Sequence, residues 1–361
     1  MTYGKSSRAR FVGWRGLVAT AAAALVASCG SHHGPTSPDH DPLVILCPVG
    51  QAVDDLTNAP TMPVNFQAPA TTGGQAPVTV VCNPASGTSF TLGQTPVSCT
   101  ATDAAGTVAS CGFAVTVAPV PMLSLTSFMA FGDSLTEGEV EPQQHGWRPF
   151  VTDPEHGYPA VLLQLLQQRY KAQTISLANE GRGGEHVADG YIRLQGVLDA
   201  NTPQVLLLFE GINDLNDTRD HDEIPQIVDT LRDDIREAIA HGVETVFVST
   251  LTPQREPTPG ASIRQPVDDQ LIRDANDEIR DMAAREGAIV VDGYAAIDVD
   301  VATLVGADGL HLTVAGYQAL ANAFFTVIQQ NLELPAAPPS DTAPTMPAGR
   351  GGARVPGSPW P

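Results

Sequence analysis

Apolar and polar positions follow two different rhythms along this chain. Between residues 42 and 118 the runs are short and alternate, as in Val78-Thr79-Val80-Val81, Val97-Ser98-Cys99-Thr100 and Phe113-Ala114-Val115-Thr116-Val117. Turn residues separate them, at Asn83-Pro84 and Asp103-Ala104-Ala105-Gly106. Short alternating strands punctuated in this way predict a small all-β sandwich whose last two runs form a hairpin. Ala118-Pro119-Val120-Pro121 is a stiff boundary, and 119–124 reads as a linker.

Over 125–333 the rhythm changes. Apolar runs at Phe128–Phe131, Thr174–Leu177, Val205–Phe209, Val243–Ser249 and Ala288–Val291 predict strands. Helical spacing lies between them. Tyr158–Tyr170 places Val161, Leu162, Leu165 and Leu166 on one face, and Ile224–His241 does the same with Ile227, Val228, Leu231, Ile235 and Ile239. Asp268–Arg285 and Thr313–Gln330 complete the helices. Strands alternating with helices predict an α/β fold: a three-layer α/β/α sandwich on a mostly parallel five-stranded sheet. From 334 to 361 the chain is rich in Pro, Ala, Gly and Ser, and is expected to be disordered.

The first 28 residues belong to neither rhythm. Lys5, Arg8, Arg10 and Arg15 precede an alanine-rich apolar run, Gly16 to Val26. That run is short for a spanning helix and fits the core of an export signal. It ends in Val26-Ala27-Ser28-Cys29, which resembles the lipobox of bacterial lipoproteins. The resemblance implies cleavage before Cys29 and lipidation of its thiol, hence an exported, lipid-anchored protein of the cell envelope. An ordinary secretory signal is the alternative. Residues 29–41 then form a polar tether. His32, His33 and His40 lie there, but a floppy segment cannot fix a coordination geometry, so no metal site is expected.

Charge narrows the partners. The 361 residues carry 40 acids against 19 bases, a net charge of -21. Phosphates need Lys and Arg to neutralise them, so a nucleic-acid partner is excluded. Attraction to anionic lipid head groups is disfavoured for the same reason. The cysteines other than Cys29 are Cys47, Cys82, Cys99 and Cys111. Four in one small exported segment predict two disulfides, with three pairings open. The wording Leu46-Cys47-Pro48, Val81-Cys82-Asn83-Pro84, Cys99-Thr100-Ala101-Thr102-Asp103 and Cys111-Gly112-Phe113-Ala114-Val115 resembles the hyalin-repeat (HYR) module. That likeness implies an Ig-like extracellular unit for adhesion or spacing, in contact with surface proteins or glycans.

The candidate chemistry lies in the second part. Phe128-Met129-Ala130-Phe131 breaks abruptly into Gly132-Asp133-Ser134, which places a serine at the carboxyl end of a strand. The plain alternative is that Ser134 caps the next helix. Serine needs a base to become a nucleophile. Asp308-Gly309-Leu310-His311 stands just before the last helix, where an aspartate three residues ahead of a histidine can orient its imidazole. The plain alternative there is a helix-start turn capped by Thr313. Asn179-Glu180-Gly181-Arg182-Gly183-Gly184-Glu185 and Glu210-Gly211-Ile212-Asn213-Asp214 follow the second and third strands and could supply oxyanion donors. The glycines do not make a dinucleotide fingerprint, because His186 stands where the third glycine is needed.

Taken in order, these four stretches resemble the blocks of the SGNH (GDSL) hydrolase family. The resemblance spans roughly Leu125 to Leu332 and implies a flavodoxin-like sheet and a serine ester hydrolase without cofactor or metal. By that likeness Ser134 is nucleophile and first oxyanion donor, Gly184 and Asn213 are the other donors, His311 is the base and Asp308 orients it. Glu210 departs from the family's more usual glycine, and Glu185 from its commoner aspartate. A small-molecule ester or an acylated glycan is the implied substrate. A glycan O-deacetylase or acyltransferase is the alternative within chemistry, and a surface binding protein with an inert hydrolase-like domain is the alternative outside it. Two loops, Glu139 to Gly157 and Thr252 to Pro266, are candidates for setting specificity.

Overall fold

The computed structural model describes residues 41–57, 59–140, 151–260 and 265–335. The expected signal segment, Cys29, the tether up to residue 40 and the tail from residue 336 lie outside these residues. So do Trp147, Pro149 and Phe150 of the first candidate loop and 261–264 of the second.

The first part is all β. Its strands are β1 (Val44–Leu46), β2 (Gln51–Asp55), β3 (Thr61–Pro63), β4 (Ala70–Thr72), β5 (Thr79–Asn83), β6 (Ser89–Thr91), β7 (Gly93–Thr102) and β8 (Val108–Pro119). One sheet has the order β2-β8-β7-β5, while β1 pairs with β4 and β3 with β6. The expected hairpin is β7–β8, and its turn is built by Asp103. One Asp103 oxygen accepts the N–H groups of Ala105 and Thr107, and the other accepts Gln75 N–H. Alternation then works as a period of two should: Val97, Cys99 and Ala101 on β7 join Val115 and Val117 on β8 in a core with Ile45, Val64 and Phe90. Of the three open pairings, the structure has Cys82–Cys99 and Cys47–Cys111. Cys82 and Cys99 stand opposite one another across β5 and β7. Cys47, just past β1, reaches Cys111 on β8.

The second part contains β9 (Ser127–Gly132), β10 (Glu139–Val140), β11 (Val151–Thr152), β12 (Ser176–Gly181), β13 (Val205–Phe209), β14 (Thr245–Ser249) and β15 (Ile289–Val291). Its helices are α1 (Ser134–Glu137), α2 (Tyr158–Arg169), α3 (Val187–Asn201), α4 (Ile212–Thr218), α5 (Ile224–Ala240), α6 (Asp269–Glu286), α7 (Gly293–Asp298), α8 (Val301–Leu304) and α9 (Val314–Leu332). Five strands form a wholly parallel sheet in the order β12-β9-β13-β14-β15. Helix α2 packs on α9 on one side, and α3 and α6 pack on α5 on the other. This is the expected α/β/α sandwich. The two parts keep separate cores, with no residue in common.

Strands covered on both faces should be apolar throughout, and β13 is: all five residues from Val205 to Phe209 are buried. Truncating Leu207 there to alanine would cost about 2–5 kcal/mol. Between α2 and α9 the Tyr158 and Phe324 rings stack, with centroids 4.9 Å apart. The end of α9 is tied back where Arg169 and the Tyr170 hydroxyl both donate to the Glu333 carboxylate.

Three expectations need correction. The second strand is Ser176–Gly181, not Thr174–Leu177. It is an edge strand, and pairing of Asn179, Glu180 and Gly181 with Ala130, Phe131 and Gly132 draws polar residues into it. Ile239 is 51% exposed rather than inward, and Ala238 takes the buried place at the end of α5. Asp268 and Thr313 are caps and not first helical residues, their side chains accepting Gln270 N–H and Gly316 N–H.

The sheet order places the site. The chain steps from β9 to β12 on one side and returns to β13 on the other. Neighbouring strands whose connections leave in opposite directions open a crevice at their carboxyl ends. The segments after β9, β12 and β13 meet there.

Candidate active site

Gly132 ends β9 because nothing larger fits: a Cβ there would lie 1.8 Å from the Phe209 carbonyl oxygen. The next residue, Asp133, is the helix cap, its carboxylate accepting Leu135 N–H at 2.9 Å. That assignment removes the plain reading of Ser134, whose hydroxyl is left with another task. The N–H groups of Thr136 and Glu137 go to the Asp133 carbonyl. Ser134 N–H has no acceptor among the described residues. Burial pushes the Asp133 carboxyl up to about 7, against the pull of its bond to Leu135 N–H and of nearby His311.

At the other end of the domain one loop does two jobs. One Asp308 oxygen accepts the N–H groups of Leu310 and His311 and shapes the turn, while Thr313 caps α9. The other oxygen accepts His311 Nδ1–H at 2.5 Å. Burial alone would raise Asp308, but the bonds to His311 and the turn N–H groups hold it below the ordinary carboxylate range. With Nδ1 donating, Nε2 is left to accept, and Ser134 Oγ lies 2.9 Å from it. All three side chains are buried. An imidazole held at one nitrogen by a carboxylate and offered at the other to a hydroxyl can take that hydroxyl's proton.

The glycine loop after β12 is docked onto α1. Arg182 N–H donates to the Gly132 carbonyl, and Gly183 N–H donates to Glu137 Oε2 at 2.5 Å. Gly184 has a left-handed φ of 74°, and its N–H donates to no described group. The Asn213 amide is held in turn by the carbonyl of Glu185, which accepts Nδ2–H at 2.9 Å. One Nδ2 hydrogen is thereby used and the second is available. Ser134, Gly184 and Asn213 thus bring unspent donors to connected segments.

The two departures noted in the sequence are both buried. Glu185 pairs with Arg193, whose guanidinium also lies over the Phe131 ring. Glu210 presses against Gly190, where a Cβ would meet its carboxylate at 2.5 Å. Neither of its oxygens finds a hydrogen-bond partner among the described residues, and burial pushes its carboxyl up to about 10. The second candidate loop braces the histidine: Arg255 N–H donates to the Gly309 carbonyl, and Thr258 N–H to that of Ala307.

The stretch from β9 to α9 that carries Ser134, Asp308 and His311 is also the stretch that a family model covers. The model of the GDSL-like Lipase/Acylhydrolase family matches residues 130–319. The chain belongs to that family. It is a carboxylic ester hydrolase by membership, and the HYR domain matches residues 38–117 before it. Among solved structures, this GDSL-like hydrolase is similar to a lipase/acylhydrolase from Enterococcus faecalis, at 22% identity and a TM-score of 0.45 over 58% of this chain and 97% of that one. It is also similar to an acetylxylan esterase from Geobacillus stearothermophilus, at 24% identity and a TM-score of 0.44 over 57% of this chain and 96% of that one. No curated protein matches the chain.

One acidic residue at this site escaped the sequence reading except as the start of a loop. Glu139 Oε2 lies 3.4 Å from His311 Nε2. The signal that could have found it is local: Glu137 and Glu139 follow Ser134 so closely that both carboxylates must lie near the turn.

Proposed function

We propose that this hydrolase cleaves carboxylic esters through an acyl-enzyme on Ser134. In this reading His311 is the general base, Asp308 orients it, and Ser134 N–H, Gly184 N–H and Asn213 Nδ2–H receive the oxyanion. The observation that carries it is the unbroken line from Asp308 through His311 to Ser134, at 2.5 Å and 2.9 Å. Gly184 is preferred over Gly183 because the N–H of Gly183 is already spent on Glu137.

The steps follow from that line. His311 Nε2 takes the hydroxyl proton while Ser134 Oγ bonds to the ester carbonyl carbon. Negative charge gathers on the carbonyl oxygen, where preorganised N–H donors stabilise it. The tetrahedral adduct collapses, and Nε2–H passes its proton to the departing alkoxide. Water then gives a proton to the same nitrogen and attacks the acyl carbon. Ser134 leaves with that proton, and the acid is released. A fluorophosphonate adduct located on Ser134 by mass spectrometry tests the assignment. No adduct, together with undiminished turnover by Ser134→Ala, would overturn it.

Glycan O-deacetylation is a second reading. The open cleft beside Gly184 is lined by Arg182, Glu185, Asp189 and Arg193, side chains suited to a hydroxylated ligand. Acetate release from acetylated polysaccharide, compared with release from simple acetyl esters, distinguishes the two.

Two disulfides and an HYR module accord with an oxidising, extracellular setting. No described helix is long and apolar enough to cross a membrane. Anchoring through a lipid on Cys29 is tested by labelled fatty acid, which Cys29→Ser must fail to incorporate. The separate cores support a division into a module over 42–118 and a hydrolase over 125–333.

A further inference from the structure

The proposed steps leave one carboxylate at the site without a task. Glu139 follows the left-handed Gly138 and opens β10. Its carbonyl accepts the Tyr317 hydroxyl at 2.6 Å, which pins the backbone there. Its Oε2 stands 3.4 Å from His311 Nε2, the nitrogen that also faces Ser134 Oγ. Its Oε1 lies over Gly183, where a Cβ would come within 2.3 Å. The carboxylate therefore reaches from the imidazole to the glycine loop, and it is 18% exposed.

Among the described residues its neighbours do not neutralise it. Glu137 is engaged by Gly183 N–H and the Thr152 hydroxyl. Arg182 and Arg193 turn to Glu185, and Arg255 donates to the carbonyls of Val305 and Glu256. Asp308 stands on the far side of the imidazole, and Asp133 lies under Ser134. Among the described residues no lysine or arginine pairs with Glu139.

The reaction restricts where the leaving oxygen can be. His311 Nε2 must hand it a proton, so it comes within about 3 Å of that nitrogen. The leaving oxygen then lies no more than roughly 6–7 Å from Glu139 Oε2, because both are close to the same nitrogen, Oε2 at 3.4 Å. A unit charge about 10 Å away, a few bonds beyond that oxygen, changes a rate constant by about twofold at the dielectric of water and by more than about tenfold at that of a protein surface.

We infer that Glu139 is a specificity-determining residue that reads the charge of the leaving alcohol, favouring esters whose alcohol carries a cation and disfavouring those whose alcohol carries a carboxylate. The inference rests on the reading of Ser134 and His311 above. It goes beyond it in naming which alcohols the site accepts.

Three acetate esters that share one acyl group test it: choline, 3,3-dimethylbutyl and 3-carboxypropyl. Each is assayed for kcat/KM with the full chain at low salt and pH 8, well above the ordinary carboxylate range, since burial raises Glu139 and His311 opposes the rise. The wild type should rank them cation, neutral, anion. Glu139→Gln keeps the size and removes the charge, and should compress the cation-to-anion ratio by about tenfold or more. Glu139→Ala should compress it in the same direction. Added salt should shrink the ratio for the wild type and barely move it for either variant. A ratio unchanged in both variants overturns the inference even where Ser134→Ala is inactive on all three esters. Full turnover by Ser134→Ala overturns the underlying reading instead.

Discussion

His311 Nε2 and Ser134 Oγ lie 2.9 Å apart although 177 residues separate them in the chain. Ser134 comes from the turn after the inner strand β9, and His311 from the loop before the last helix. Asp308 grips the imidazole from behind, and the loop carrying both is braced by Arg255 and Thr258.

Ser134→Ala removes the proposed nucleophile and nothing that holds the turn, because the cap is Asp133. Turnover of a short-chain ester should fall by about three to six orders of magnitude. The far-ultraviolet circular dichroism spectrum and the melting temperature should match the wild type. Comparable turnover in the variant would reject Ser134 as nucleophile.

Asp308→Asn should keep the turn but lose the carboxylate that selects the imidazole tautomer. A fall in kcat of about 10⁴, with KM little changed, is expected by analogy with other triads. A loss under tenfold would show that Asp308 only shapes the turn.

Asn213→Ala deletes the proposed oxyanion donor and its anchor to the Glu185 carbonyl. The expected cost is about 10²–10³ in kcat. If KM rises while kcat holds, Asn213 binds the ground state and is not a transition-state donor.

Glu210 links stability to pH. Its carboxyl is raised from 4.5 to about 10 by burial, so the folded protein keeps the proton where the unfolded chain has released it. Its contribution is fully present below about pH 4.5, the unfolded value, and declines as pH rises toward the folded one, by at most about 1.4 kcal/mol per pH unit. Asp234, raised to about 8 by burial, adds a term of the same sign. Glu210→Gln removes the first term, so its melting temperature should gain on the wild type from pH 5 to pH 9. A difference that stays flat over that range would mean that the carboxylate is solvated in the fold.

The disulfide between Cys47 and Cys111 spans 64 residues of the module and touches none of the hydrolase core. Replacing both cysteines by serine should destabilise the module by about 2–5 kcal/mol. Protease resistance of residues 42–118 should fall, while kcat/KM on a soluble ester stays at the wild-type value. A matching loss of activity would mean that the module supports the site.

Local order was legible where one residue's neighbours decide its fate. Phe128–Phe131 reads as a buried strand because its apolar run admits no solvent face, and it is one. The helices α5 and α6 were visible because their apolar residues return every three or four places. Helix α3 was not, since Gly190 and Gly196 interrupt it and Ile192 is 79% exposed. Strand β12 was misplaced because its polar end is drawn in by hydrogen bonds to β9, a neighbour that its own residues do not name.

The sequence by itself determined the two rhythms of the chain, the Gly-Asp-Ser turn, the Asp-x-x-His loop and the residue types able to transfer an acyl group. These depend on spacing within a few residues, which backbone sterics and side-chain reach translate directly into geometry. Tertiary structure alone decided which cysteines pair, that Asp133 rather than Ser134 caps α1, that Gly183 is spent on Glu137, and that Glu139 stands beside the imidazole. Those contacts arise where strand order brings distant turns to one end of the sheet. Distance in space there is set by packing, and distance along the chain does not predict it.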